Sequence, residues 1–295
     1  MEKQEITPFI KWVGGKSKYI KEILPFVPNQ INRYFEPFIG GGALFFHLQP
    51  KKAYISDINI ELINCYQVIR ADIKGLISEL DKLIIKPNLL DSNNEEEYFY
   101  SLRKQYNQFK KSYPFSYEEI AQGSEEQSNK QFCIQKAGLF VYLNKTCFRG
   151  IYRENKSGEM NVPYGNYKKV SIYDKNNLLN ISKYLFENDI QIQHHSFDKI
   201  NPTSTDFVYM DPPYDKEQST DFTSYTKEEF KQEPLFTFIS KLPCAFVLSN
   251  SPTSFIKTKY NTFGQKILSG KRSVDIKKVK TVKDIEIIIY PCNLV

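Results

Sequence analysis

Residues 33–59 read RYFEPFIGGGALFFHLQPKKAYISDIN, and this stretch decides the fold. RYFEPFI (33–39) is a short apolar run broken off by Gly40, Gly41 and Gly42; ALFFHL (43–48) then winds a helix, and KAYISDIN (52–59) returns as a strand ending in Asp57. Strand, glycine turn, helix and strand make one β-turn-α-β unit, which predicts an α/β sheet. Downstream, Leu62, Ile63, Val68, Ile69, Ile73, Leu76, Leu80 and Leu83 return mostly at three and four residues, the spacing of amphipathic helices. Residues 86–131 are polar and aromatic, hold the acidic run Glu95 to Glu97 and include the low-hydrophobicity piece QGSEEQSNK (122–130). They read as an inserted, mostly helical lobe with an exposed loop. Strand-like segments resume with DIQIQHHSF (189–197), TDFVYMDPPY (205–214), CAFVLSNS (244–251) and IEIIIYP (285–291), so one sheet draws on both ends of the chain.

Length allows this plan: 295 residues suffice for one large domain or two modest ones at roughly 150 residues each. Apolar residues at 41% and charged residues at 25%, with 20 Tyr and 22 Phe, exclude a disordered, collagen-like or disulfide-scaffold chain. Five cysteines without a C-x-x-C pair predict neither a disulfide framework nor a structural zinc site, and point to a reducing, intracellular compartment. No apolar run approaches the ~18 residues of a spanning helix, and MEKQEITP lacks a signal pattern, so no membrane role is expected. A net charge of +6 permits a polyanionic partner without requiring one. The wealth of Lys, Asn and Ile, residues with A/T-rich codons, discounts that surplus further.

The most informative chemistry is DPPY (211–214) at the end of the run FVYM. An acid at the carboxyl end of a parallel strand faces the crevice where α/β folds bind ligands. Pro212 and Pro213 donate no hydrogen bonds and fix the carbonyl directions, and Tyr214 adds an aromatic face. An acceptor-only site with a stacking wall suits an amino group on a flat heterocycle, Asp211 and the Pro212 carbonyl each taking one hydrogen. Asp-Pro and Pro-Pro also make ordinary turns, so context must decide. The Gly40 to Gly42 turn lets a ligand approach backbone N–H groups, though three glycines also make a plain βα turn and no G-x-G-x-x-G is present. Asp57, ending the next strand, is placed to accept from a ribose diol, or merely to cap a helix. In FIKWVGGK (9–16) the single Trp of the chain, Trp12, offers a face to an adenine or a sulfonium, and Lys16 reaches for a carboxylate; otherwise they plug a sheet edge and meet solvent. His194 and His195, adjacent on a strand, face opposite sides, and His47 belongs to an apolar helix.

FIKWVGGK, EPFIGGGAL, YISDIN, LNKTCFRGIYRENKSGEMNVPYGNYKK (143–169) and DPPY, in this order, resemble the Dam-type DNA adenine methyltransferases. The likeness covers residues 9–60 and 137–215 well, is weaker over 86–131, and persists after 250 only in outline. It implies a Rossmann-like methyltransferase sheet with an inserted, mostly helical DNA-recognition domain: catalytic parts at 1–62 and 170–295 and a target-recognition domain at 63–169 carrying a DNA-reading hairpin. It also implies methyl transfer from S-adenosylmethionine to the 6-amino group of a flipped-out adenine in a short palindromic duplex site, with no metal. By likeness, Trp12, Lys16, Phe38, Gly40, Gly41, Gly42, Asp57, Ile58 and Asp211 line the cofactor site. Asp211, Pro212, Pro213 and Tyr214 form the catalytic motif. Transfer is then an in-line displacement in which positioning does most of the work.

The hairpin resemblance assigns DNA contacts to Lys11, Asn144, Lys145, Arg149, Arg153, Asn161, Pro163, Tyr164, Asn166, Tyr167 and Lys168. Cations, amides and tyrosines interleaved in this way can hold phosphates and read base edges, although a basic stretch is also an ordinary solvated loop. Arg149 stands where GATC-recognising members usually carry Asn, and Met160 where an aromatic is usual, so the target is GATC or a related site such as CATG. A second basic stretch, Lys266 to Lys283, holds seven Lys or Arg and suits phosphates. Expected partners are double-stranded DNA and a companion restriction endonuclease acting separately; the chain itself is expected as a monomer or weak dimer in a bacterial cytoplasm or an infected cell. Two other readings keep part of this argument: an RNA or protein amino-methyltransferase, and an inactive DNA-binding homologue. The insert between glycine turn and DPPY favours duplex DNA over the first, and the intact Asp57, Asp211 and Tyr214 oppose the second.

Overall fold

Apolar runs with no polar side settle in the middle of a sheet, and the computed structural model, which describes residues 5–85, 95–120, 126–216, 230–270 and 283–292, follows that rule. In chain order the elements are α1 (Ile20–Ile23), β1 (Tyr34–Glu36), α2 (Ala43–Leu48), β2 (Lys52–Asp57), α3 (Ile60–Ala71), α4 (Ile73–Ile85), α5 (Glu95–Ser112) and α6 (Glu126–Thr146). There follow α7 (Lys175–Glu187), β3 (Asp189–His194), β4 (Phe207–Met210), α8 (Gln232–Ile239), β5 (Ala245–Asn250), α9 (Ser254–Lys259), β6 (Gly264–Gly270) and β7 (Lys283–Tyr290). Among the described residues they build a seven-stranded sheet in the order β3-β2-β1-β4-β5-β7-β6. Strands β1 and β4, buried at every position, occupy its centre.

Pairing from β3 through to β5 is parallel, while β7 runs antiparallel to both β5 and β6. The chain leaves β1 toward β2 on one side and returns to its other side as β4, so the strand order reverses between them. Crevices open at such a reversal, beyond the carboxyl ends of the strands. Alternation along the strands divides the core: Tyr34, Tyr209, Val247 and Ile288 face one layer, and Phe35, Val208, Phe246 and Ile287 face the other. At the opposite end of β1 and β4, Arg33 pairs with Asp206 at 2.6 Å, and Asp206 also accepts from the Arg33 and Thr203 amides. Burial pulls the Asp206 carboxyl up, but these donors outweigh it and hold the group below the usual carboxylate range.

The lobe between the two halves is helical. Asn59 caps α3 by accepting from the Glu61 and Leu62 amides, and α3 is buried from Glu61 to Ile69 because it lies between β2 and β3 on one side and α6 and α7 on the other. Residue 62, the expected end of the first catalytic part, falls within this helix. Lys136 of α6, fully buried, pairs with Glu61 at 3.3 Å and donates to the Tyr113 and Phe115 carbonyls at 2.8 and 2.9 Å. Burial raises the Glu61 carboxyl, and Lys136 works against that rise. Of the exposed loop expected within 122–130, residues 126–130 instead open α6 and 122–125 lie outside the described residues, as do 271–282 of the basic stretch. Among those residues no helix is long and apolar enough to cross a membrane.

Candidate active site

Because β1 and β4 are neighbours, the glycine turn after one and DPPY after the other open into the same crevice. Gly40 and Gly42 both have positive φ, +47° and +69°. A Cβ on Gly40 would come within 2.6 Å of the Trp12 ring, and one on Gly42 within 2.8 Å of the Tyr66 hydroxyl, so glycine is required twice over. Asp57 holds the turn: one carboxylate oxygen accepts from the Gly40 amide at 3.2 Å and the other from Asn59 at 2.9 Å. Burial pushes its carboxyl up to about 6, against the pull of those amides.

Trp12 lies on the turn with its other flank against Tyr152, ring centroids 6.1 Å apart and planes at 16°. Four residues on, Lys16 is 3% exposed and donates to Asp211 at 2.7 Å and to the Gly14 carbonyl, its ammonium standing 4.9 Å from the centre of the Tyr214 ring. The second Asp211 oxygen and the Tyr214 hydroxyl are buried without a hydrogen-bond partner. Burial raises the Asp211 carboxyl, opposed by Lys16. An acceptor oxygen thus stays open beside an aromatic ring, at the end of a buried strand. Pro213 donates nothing and its carbonyl accepts from Gln232 at 2.9 Å, which ties the motif to α8.

The segment 143–169 folds back on itself through antiparallel bridges between Cys147 and Tyr164 and between Glu154 and Met160. Beside the Cys147–Tyr164 bridge Phe148 is 46% exposed and Arg149 lies over the Phe148 ring, guanidinium 5.2 Å from its centre. Arg149 has φ +56°, a left-handed conformation unusual for a side-chain-bearing residue and held here by the loop. Pro163, Asn166 and Lys168 are exposed; Lys145, Arg153, Asn161, Tyr164 and Tyr167 are half-buried. Arg153 donates to Asn161, the Tyr164 hydroxyl to Glu95, and the Tyr167 hydroxyl to the Cys147 carbonyl. Burial lowers the Lys145 ammonium, with Lys11 adding to the effect.

Asn144 is a correction to the expected DNA contact. It is 1% exposed, and its amide is consumed internally: it accepts from the Lys11 amide and donates to the Lys11 and Gly150 carbonyls. A side chain so spent has no atom to offer a base, and its work is to pin Lys11 to the loop. Lys11 itself is exposed, with its ammonium 4.5 Å from the centre of the Tyr167 ring. Phe38 and Ile58 were expected at the cofactor site, but their partners Phe197, Phe230 and His194 were not evident from sequence. Phe38 stacks on Phe197 at 5.5 Å and meets Phe230 edge-on at 5.7 Å. His194, opposite Asp57 in the β2–β3 register, bonds the Ile58 carbonyl and Glu119, and leaves Ile58 64% exposed. The signal available was the aromatic SF ending the third strand segment; the register of β3 was not readable.

The family model for the D12 class N6 adenine-specific DNA methyltransferases matches residues 12–276. The type II methyltransferase M.MjaIII of Methanocaldococcus jannaschii is 36% identical over 294 residues, covering 92% of this chain and 94% of its own. M1.LlaDCHI of Lactococcus lactis subsp. cremoris, also a type II methyltransferase, is 34% identical across 97% and 96% of the two chains. A DNA adenine methylase of Haemophilus influenzae is 28% identical across 95% and 92%. The matched span runs from Trp12 past β6 and so takes in the glycine turn, Asp57, the segment 143–169 and DPPY together. The chain belongs to the D12 class of N6 adenine-specific DNA methyltransferases.

Proposed function

We propose that the methyl donor is S-adenosylmethionine and that the target is a flipped-out adenine within a short palindromic duplex site, GATC or CATG. The observation that carries this reading is the open, buried Asp211 oxygen beside Tyr214, directly across the crevice from the glycine turn. Asp57 would take the ribose hydroxyls, Trp12 and the Phe38 cluster the flat and cationic parts of the donor, and Lys16 its carboxylate. Bound there, the donor supplies an activated methyl on a neutral leaving group. Asp211 and the Pro212 carbonyl orient the target amine, and Tyr214 stacks on its ring. The exposed Phe148 beside the Cys147–Tyr164 bridge is suited to filling the gap a flipped base leaves, with Lys168 on a phosphate. The type II names of two relatives support a companion endonuclease as partner.

Asp57→Ala and Trp12→Ala are each expected to weaken donor binding by about 1–3 kcal/mol, read by calorimetry. Since the Asp57 carboxyl titrates near 6, the accepting form is nearly complete at about pH 7 and roughly a tenth populated at about pH 5. Donor affinity should therefore fall about tenfold over that interval, and Asp57→Asn should flatten the dependence.

Target choice is tested at Arg149. An arginine grips guanine O6 and N7 as a bidentate donor, worth roughly 1–3 kcal/mol of discrimination. Methylation rates on a panel of single-base variants should show Arg149→Ala relaxing selection at one outer base pair. Lys168→Ala should slow all sequences alike and lower the salt slope by roughly one. Uniform slowing by Arg149→Ala would instead make that residue a backbone contact.

A further inference from the structure

Methylation of an amine by a sulfonium releases a proton, and the site must dispose of it. The target nitrogen forms a bond to the methyl carbon, the carbon–sulfur pair stays with sulfur, and the nitrogen, now cationic, must lose one hydrogen. Asp211, assigned above to the target amine, is a base for it, but one of its oxygens is held by the Lys16 ammonium. A second carboxyl comes from a strand that the mechanism above does not use. Glu286 lies on β7 two residues before Ile288, which pairs with Ser249 of β5; Ser249 in turn meets the Tyr209 hydroxyl at 3.3 Å. Alternation therefore turns Glu286 to the face that carries Tyr209, Asp211 and Lys16.

Glu286 is 3% exposed, and one of its oxygens has no hydrogen-bond partner. Eight buried side-chain polar atoms among the described residues lack a partner, and three of them belong to this one cluster: Asp211 Oδ1, the Tyr214 hydroxyl and Glu286 Oε1. The hydroxyl makes no hydrogen bond of good geometry, yet it stands close enough to both carboxyls to favour their ionised forms. Burial pushes Glu286 up to about 7, with Asp211 adding to the rise and Lys16, Ser249 and Tyr214 opposing it. Glu36, which faces Asp211 from β1, is occupied by the Tyr34 hydroxyl at 2.6 Å.

We propose that Glu286 receives the proton displaced from the target amine, handed from Asp211 through the Tyr214 hydroxyl. Asp211 Oδ1 takes the hydrogen from the cationic nitrogen and passes it to the Tyr214 oxygen; that hydroxyl gives its own hydrogen to the Glu286 carboxylate. Asp211 and Tyr214 return to their starting forms and Glu286 ends protonated, so no further reactant is needed. Glu286 acts through Tyr214 without touching the substrate and is a positioning residue. The inference rests on the assignment of Asp211 and Tyr214 to the target base.

The test is single-turnover methylation of duplex DNA by the full chain, at saturating S-adenosylmethionine so that Asp57 does not enter, from about pH 5.5 to about pH 9. The wild-type rate should rise along a limb with its midpoint near 7, where Glu286 ionises. Glu286→Gln should lose that limb and transfer at least about tenfold more slowly above it, with donor affinity within about threefold. Glu286→Asp should keep the limb. Tyr214→Phe, which retains the ring and removes the relay hydroxyl, should lose it as Glu286→Gln does, and decides the matter if Glu286→Gln fails to fold. A limb unchanged in either folded variant overturns the proposal. Turnover by Asp211→Ala would overturn the underlying site assignment instead, a separate outcome.

Discussion

Asp211→Ala is expected to abolish methyl transfer while donor affinity stays within about tenfold, or roughly 1.4 kcal/mol. The carboxylate ends β4, and its second oxygen is an unpartnered acceptor with a negative charge, which the neutral Tyr214 hydroxyl does not replace. The same substitution leaves the Lys16 ammonium buried with the Gly14 carbonyl and the more distant Glu286. Asp211→Asn, which keeps the volume and one accepting oxygen, should therefore be compared beside it. Single-turnover assay and donor titration on both variants check the expectation; measurable transfer by Asp211→Ala would remove this residue from the chemistry.

The second large effect is on folding. Lys136→Ala strips the partner from Glu61 at a depth where water does not reach, and should lower the unfolding free energy by about 3–5 kcal/mol, a drop in melting temperature on the order of 10 °C. It also leaves the Tyr113 and Phe115 carbonyls without their donor. Replacing both charges, as in Lys136→Met/Glu61→Leu, should recover much of the loss, because a desolvated pair gains little over apolar packing. A single variant that melts with the wild type would show that the ammonium is dispensable to the junction of α6 with α3.

Local chemistry was readable from sequence; proximity was not. The glycine turn, the helix ALFFHL and the strand KAYISD follow from alternation, spacing and glycine, all of which act within a few residues, and each stands where expected. DPPY closes β4 for the same reason. Glu286 gave no such sign, since it sits in an apolar strand run and gains its neighbours only because β7 enters the sheet antiparallel beside β5. Asn144 misled in the opposite direction: its type and place in a basic stretch suggested base reading, whereas packing of Lys11 against Gly150 turns its amide inward. Lys136 gains its partner Glu61, 75 positions away in sequence, only because α3 and α6 pack together.

Lys11, Trp12 and Lys16 lie within six residues of one another, yet they reach the reading loop, the glycine turn and Asp211 respectively. With the roles proposed above, one short segment is therefore a contact of both ligands, and neither can shift it without the other sensing the change. Linkage then demands reciprocity: by whatever factor bound donor tightens the hold on cognate duplex, bound duplex must tighten the hold on donor, and couplings of this kind commonly amount to about 1–3 kcal/mol. The Asn144 clamp is the joint through which that energy would pass, so loosening it should make the two affinities independent while leaving each nearly intact.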